Sequence, residues 1–207
     1  MTEPLIPPHG GYRKLKSFAV AQLAYDVTVR FCDRYVGRGG RMRDQMVQAA
    51  RAGVQNIAEG SLASGTSKKT ELKLTNVARA SLEELRLDYE DYLRQRELSQ
   101  WPAEHPALKR FRARRPAKLA EVSAWVKDEL DRAPTRTDAH GRSVSVRAGQ
   151  WRSLAAAELA ANAALSLLNV CCYLLDRQLK AQAEEFEREG GFTERLHRVR
   201  SARRSGR

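Results

Sequence analysis

Apolar positions recur at three- and four-residue steps along several long stretches of this chain, the period of helices that hide one face. In the stretch from Gly40 to Tyr92 the pattern is densest. Met46, Ala50, Val54 and Ile57 share one face, while Asp44, Gln48, Arg51 and Gln55 share a polar one. Ala49, Ala52 and Gly53 make this arm thin on a third side. A glycine inside a helix costs about 1 kcal/mol relative to alanine. Gly53 therefore marks either the close approach of a neighbouring helix or a gap left for a ligand. Gly60 reads as a left-handed helix stop. Ser61, Ser64, Gly65, Thr66 and Ser67 then form a turn, with Thr66 or Ser67 capping the next helix and Glu71 near its positive end. Leu74, Ala78, Leu82, Leu85, Tyr89 and Tyr92 (or Leu93) make the seam of that helix, spaced for packing at a shallow angle.

Two further helices flank this hairpin. The first spans Tyr12–Val36, with Leu15, Phe18, Gln22, Tyr25, Val29, Cys32 and Val36 as its seam. Arg30, Arg34 and Arg38 rise along another side, as a solvated face or as a ridge for phosphate. Gly37, Gly39 and Gly40 allow a tight reversal into the hairpin. The last long helix, from about Gln150 to Glu189, repeats Leu154, Ala161, Leu165, Leu168, Cys172, Leu175, Leu179 and Phe186, broken only by Glu158 and Gln182. Such a helix is about 60 Å long at ~1.5 Å per residue. Its end projects beyond shorter neighbours, so either an inserted segment or another subunit covers its leucines. The fold class is all-α, and the chain divides into an irregular arm (1–11), three helices (12–98), a basic insertion (99–149), the long helix (150–189) and a suffix with a basic tail (190–207).

Three runs carry a resemblance. Asp44-Gln45-Met46-Val47 leads to Asn56-Ile57-Ala58-Glu59-Gly60; Ser67-Lys68-Lys69-Thr70-Glu71-Leu72 and Ala80-Ser81-Leu82-Glu83-Glu84-Leu85 follow. Together they resemble the four-helix-bundle family encoded in intervening sequences of bacterial 23S ribosomal RNA, which includes accessory proteins of diversity-generating retroelements. The likeness covers residues 12–98 well and the last long helix loosely. Phe192–Arg200 is similar to the short suffix of one branch. The resemblance implies an antiparallel up-down-up-down four-helix bundle, a homo-oligomer with a tendency to a pentameric ring, and binding of nucleic acid or a reverse transcriptase. It brings no catalytic activity.

Charge sharpens this picture. The net charge of +12 is unevenly spread. Residues 66–98 carry seven basic and seven acidic side chains, and 151–189 carry four and six. Residues 1–65 hold nine against five, 99–150 eleven against six, and 190–207 six against one. Such segregation points to an anionic partner. In the insertion, Trp101-Pro102 and His105-Pro106 mark a loop, and Ala117–Arg132 forms a short helix with Leu119, Val122, Val126 and Leu130 on one side. Between them lie Lys109, Arg110, Arg112, Arg114, Arg115 and Lys118, with Phe111 interleaved and Trp101 and Trp125 nearby. This mixture either grips phosphate and stacks on bases or is an exposed linker pinned by its aromatics. Pro134–Gly149 reads as a mobile loop. In the suffix, Phe192, Leu196 and Val199 form an amphipathic turn beside Arg195, Arg198, Arg200, Arg203, Arg204 and Arg207, whose forked heads suit phosphate.

No catalytic constellation is found, and neither cofactor nor metal is expected. The inward Glu-x-x-His pairs of di-iron bundles are missing, since Glu194-x-x-His197 lies outside the bundle. Glu83, Glu84, Asp88, Glu90 and Asp91 scatter around one helix, leaving metal-dependent hydrolysis as a minor reading. Cys32, Cys171 and Cys172 lack zinc spacing and read as reduced thiols of a cytoplasmic protein. Met1–Gly11 lacks the basic start and apolar run of a signal peptide, and no apolar stretch approaches the ~18–20 residues of a membrane span. Asn56 and Glu59 either bond groups freed at the Gly60 stop or contact a ligand beside Lys68 and Lys69. Two functional readings stand: a nucleic-acid-binding protein, RNA favoured through the resemblance, and an adaptor whose suffix docks a polymerase or another acidic protein.

Overall fold

The structure, a computed structural model, describes residues 4–37, 39–132 and 145–205. Among these, all regular structure is helical. The elements are α1 (Lys16–Phe31), α2 (Arg41–Ala63), α3 (Lys68–Gln95), α4 (Pro106–Arg114), α5 (Leu119–Arg132), α6 (Ser145–Glu189) and α7 (Phe192–Ser205). Helix α2 packs on α3, α3 on α6, α6 on α1, and α1 on α2, so these four are successive neighbours around one core. Helices α4 and α5 lie against α6, and α5 also reaches α1.

The first helix is shorter than its periodicity predicts. Tyr12–Lys14 is a single 3₁₀ turn, Leu15 is extended at φ −74° and ψ 127°, and α1 begins only at Lys16. Beyond Phe31 the chain widens into a π turn over Cys32–Val36. Phe18 and Cys32 of the predicted seam are buried, but between them the inward face is rotated by one position. Ser17, Ala21, Ala24, Val27, Thr28 and Phe31 face inward, whereas Gln22 is exposed and Tyr25 and Val29 are half-buried. Alanine and a back-bonded threonine carry the true face: Thr28 donates to the Ala24 carbonyl (2.7 Å) and accepts from the Tyr89 hydroxyl (3.1 Å). Phe31 packs against Tyr89 and Tyr92 with ring centroids 4.9 and 4.7 Å apart.

In the hairpin, Gly53 and Gly60 serve one purpose. A Cβ on Gly53 would lie 2.5 Å from Leu82 Cδ2, so the glycine admits α3 to close contact. Gly60 corrects an expectation. It is not a helix stop: α2 runs through it to Ala63, and a Cβ there would lie 3.3 Å from both the Glu71 carbonyl oxygen and Leu74 Cβ. The helix ends later, where Thr66 and Ser67 N–H groups donate to the Ala63 carbonyl at 3.1 and 2.9 Å. Ser67 then caps α3, its Oγ accepting from Thr70 N–H at 3.1 Å. Helix α3 closes with the Glu97 N–H on Arg94 O (3.2 Å) and the Leu98 N–H on Leu93 O (2.9 Å), a Schellman motif with Glu97 at φ 54° where glycine is usual.

The insertion holds two helices where one was expected. Helix α4 starts at Pro106, which suits a first helical position because its missing N–H would be unpaired there. Phe111 from α4 and Trp125 from α5 meet edge to face at 4.8 Å, both fully buried. The long helix begins earlier than Gln150, at Ser145. Of the segment expected to be mobile, residues 134–144 lie outside the described residues and 145–149 are helical. Helices α4 and α5 join α1 and α3 in packing along α6, yet Leu154 of its predicted seam remains 42% exposed.

The expectation about membrane spans also needs correcting. Glu158 is the lone charge between Arg152 and Asp176, and the stretch Arg152–Arg204 contains an 18-residue window long and apolar enough, by length and composition, to cross a membrane. Within the protein 67% of that window is buried, its alanines and leucines forming one wall of the core.

Candidate nucleic-acid interface

The cations singled out by sequence fall into three groups. Arg30 on α1 and Arg34 in the π turn are exposed and make no ion pair among the described residues; Arg38 lies outside the described residues. The α4 group splits. Glu129 of α5 is only 5% exposed at its side chain and takes Arg110 through two hydrogen bonds, Nε to Oε1 at 2.7 Å and Nη2 to Oε2 at 2.6 Å. The hydrogen bond from Arg110 holds the Glu129 carboxyl below the ordinary carboxylate range against the opposing pull of burial, with the fields of Arg110, Arg132 and Arg114 adding to it. Arg114 pairs with Asp128 at 2.8 Å. Two members of the predicted phosphate-gripping cluster are therefore neutralised within the chain, because α5 turns its carboxylates toward α4.

The rest of that cluster stays cationic. Lys109, Arg112, Arg115 and Lys118 are exposed and form no ion pair among the described residues. Arg112 donates from Nη2 to the Ala103 carbonyl, which fixes its head without cancelling its charge. Arg115 ends α4 in the left-handed region at φ 48°. The Lys118 backbone N–H donates to Glu121 Oε2 at 3.3 Å, leaving its ammonium outward. The aromatics do not share that freedom. Phe111 and Trp125 are core residues, and Trp101 donates from Nε1 to Glu158 Oε1 at 3.0 Å while stacking on His105 at 4.1 Å. The pinning alternative describes them.

The tail divides similarly. Helix α7 is longer than the single turn expected, and Arg195 and Val199 are buried. Arg198 donates from Nη1 to the Glu189 carbonyl at 2.9 Å. Arg200, Arg203 and Arg204 are exposed. Glu194 serves the helix start, accepting the Gly191 N–H at 2.8 Å, which with its own backbone bond lowers its carboxyl pKa.

The motif residues differ in their surroundings. Asn56 donates from Nδ2 to the Ala52 carbonyl at 2.8 Å, inside α2 rather than at its end, and Glu59 is exposed. Lys68 is held by Glu71 at 3.3 Å and by Glu185 of α6 at 3.0 Å, so it offers no open ligand contact; Lys69 is exposed. Gln182, one of the two breaks in the α6 seam, donates to Glu71 Oε1 at 3.0 Å. The other break, Glu158, accepts from Trp101 and from the Ser99 N–H at 3.2 Å. Both polar interruptions thus anchor neighbouring segments, a role visible in sequence only as disagreement with the repeat.

The acidic residues of α3 disperse. Glu83 pairs with Arg86 at 2.6 Å, Asp91 with Arg94 at 2.7 Å, and Glu90 accepts from Gln100 at 3.3 Å. Among the described residues no three His, Cys, Asp or Glu side chains gather as a metal site. Burial raises all three thiols, Cys32 and Cys171 to about 12 and Cys172 to about 11, so they stay protonated and unreactive near neutrality. Sequence reasoning missed one feature. A cleft of about 300 Å³ opens where α3, α6 and the start of the insertion meet, and Arg86, Arg112, Trp101 and Tyr173 are among its walls.

No family model, curated protein or solved structure matches this chain.

Proposed function

We propose that this chain is a non-enzymatic, self-associating four-helix-bundle protein that binds nucleic acid, RNA by preference, through the cations its appendages leave unpaired. Neighbour relations support the bundle: α1, α2, α3 and α6 close a cycle, and the α1–α2 and α2–α3 connections are too short for anything but reversal. In this reading α4 and α5 are the insertion. The observation that carries the binding proposal is the uneven fate of positive charge. Arg110 and Arg114 are neutralised at home, while Lys109, Arg112, Arg115 and Lys118 of the insertion and Arg200, Arg203 and Arg204 of α7 remain exposed and without ion pairs among the described residues.

Binding of this kind releases counterions, so affinity falls steeply with salt, by a slope of roughly 0.7–0.9 per phosphate neutralised. Fluorescence anisotropy with labelled RNA at rising salt measures that slope, and mass in solution with and without RNA measures self-association. Removing residues 190–207 reduces affinity and flattens the slope. An affinity that does not change between low and moderate salt rejects the reading. The adaptor alternative is less favoured, because Val199 and Arg195 on the suffix are already buried. It would instead show loss of one protein partner upon the same truncation, with RNA binding untouched.

A further inference from the structure

The cleft beside α6 combines an apolar floor, an aromatic rim and a cationic wall. Its floor is apolar, with Leu108 of α4 and Leu165 of α6 both buried. Its rim carries the Tyr173 ring, 60% exposed, with the Arg177 guanidinium 6.0 Å from its centroid. Its wall carries Arg112, a guanidinium oriented by the Ala103 carbonyl and lacking any carboxylate partner among the described residues. Arg86, the second cation on the wall, already pairs with Glu83, and the Glu90 carboxylate, which also lines the cleft, accepts from Gln100, so Arg112 is the cation left for an anion. Asn169, exposed on α6, adds an amide that both donates and accepts.

A ligand matching this set has a flat, partly apolar body, hydrogen-bonding edges and one negative group. An unpaired nucleotide has all three. Bases stack on exposed aromatic rings, asparagine amides pair with base edges, and arginine suits phosphate. The volume of about 300 Å³ lies at the small end of ligand pockets, right for one such unit and too narrow for a helix face. Lys109 and Arg115, three residues before and after Arg112, are also exposed cations.

We propose that this cleft receives one unpaired nucleotide of a single strand, its base against Tyr173 and Asn169 and its phosphate on Arg112. The proposal rests on the nucleic-acid reading and adds to it a preference for single strands over duplex, since a paired base cannot enter without being flipped out of its stack.

The test uses the full chain with a labelled single-stranded RNA dodecamer, the same RNA as a blunt duplex, and free nucleoside monophosphates. Tyr173→Ala and Asn169→Ala alter exposed side chains outside the core. Tyr173→Ala is expected to weaken single-strand binding about tenfold or more and to leave duplex binding unchanged, with Asn169→Ala a smaller loss in the same direction. Free monophosphates are expected to compete only at millimolar concentration. If they bind as tightly as the strand, the pocket serves a free nucleotide and the strand assignment is overturned. Equal effects on single strand and duplex, or no effect on either, overturn the pocket while leaving backbone binding by the appendages intact. Changed mass in solution with unchanged strand affinity reassigns the cleft to contact between copies. Absence of any polynucleotide binding by the unaltered chain overturns both readings.

Discussion

The α2–α3 hairpin and the α4–α5 insertion are both helix pairs that reach α6, the first through α3 and the second through both members, and each pair is joined by opposite means. In the hairpin, closeness comes from what is missing: Gly53 leaves room for Leu82, and Gly60 for Leu74 and the Glu71 carbonyl. In the insertion, two large rings fill the space and charge completes the join, Phe111 on Trp125 and Arg110 on Glu129. No ion pair among the described residues joins α2 to α3, whereas the insertion uses up part of a basic run that looks, in one dimension, uniformly available. A cluster of arginines therefore gives no measure of free positive charge until the opposing helix is known.

The sharpest way to break this comparison is Trp125→Ala. Deleting a fully buried tryptophan typically costs about 3–5 kcal/mol. Because α5 touches both α1 and α6, the loss is expected in one cooperative transition of the whole chain, read as a lowered midpoint in a thermal or urea melt. A separate early transition confined to the insertion would show instead that α4 and α5 fold as an appendage.

Next in size is Arg110→Ala, which strands Glu129 with 5% of its side chain exposed. With Arg110 itself partly in solvent, the expected loss is about 2 kcal/mol, below the range for fully buried pairs. Arg114→Ala, at an exposed pair, is expected to cost about 0.5 kcal/mol or less. The pH dependence gives a second reading. The Glu129 carboxyl is held low in the folded state, so its contribution is complete above the ordinary carboxylate range and fades as pH falls through the lowered value. The gap between Arg110→Ala and the parent in urea melts should close on acidification.

The hairpin offers the matching case. Gly53→Ala gains helix propensity of about 1 kcal/mol but drives a methyl to 2.5 Å from Leu82 Cδ2 and 2.7 Å from its Cγ, where overpacking costs about 1–3 kcal/mol. A net loss of about 1 kcal/mol in the urea midpoint is expected. At Gly60 the same methyl meets its neighbours at 3.3 Å and the two effects come closer to cancelling.

These contrasts explain what could be read before folding. The α3 seam from Leu74 to Tyr92 was legible because large apolar residues keep strict steps and every one from Ala78 onward is buried. The α1 seam is legible at Phe18 and Cys32, both buried, and lies one position off between them, because Ala21, Ala24 and Thr28 carry it there and small or hydroxylated residues hardly register as apolar. Gly60 was misread because a glycine needed for close approach looks like one needed for a left-handed turn. The real left-handed stop after α3 falls on Glu97, which no composition rule would choose. The candidate site fared worse for a related reason. Its cleft joins residues from α3, the insertion and α6, and Arg112 differs from Arg110 only in which side of α4 meets α5.

Asp88 supplies the smallest effect and the cleanest contrast with Glu129. Both are carboxylates drawn from water, but Asp88 has no guanidinium, and its buried Oδ2 lacks a hydrogen-bond partner. Burial first, and then Glu84 and Asp91, push it up to about 6. In the folded chain it takes a proton at higher pH than it would unfolded, so its contribution is most favourable at low pH and declines as pH rises from about 4 to about 6, the reverse of Glu129. Asp88→Asn removes the charge but keeps the shape. With solvent screening of a half-buried group allowed for, it should stabilise the protein by about 1 kcal/mol at neutral pH and flatten the slope across that window. Urea melts from acid to neutral pH would show it. A variant that is less stable than the parent at neutral pH would mean that the Asp88 charge is compensated after all, and that the hairpin, like the insertion, uses an ion pair to complete its packing.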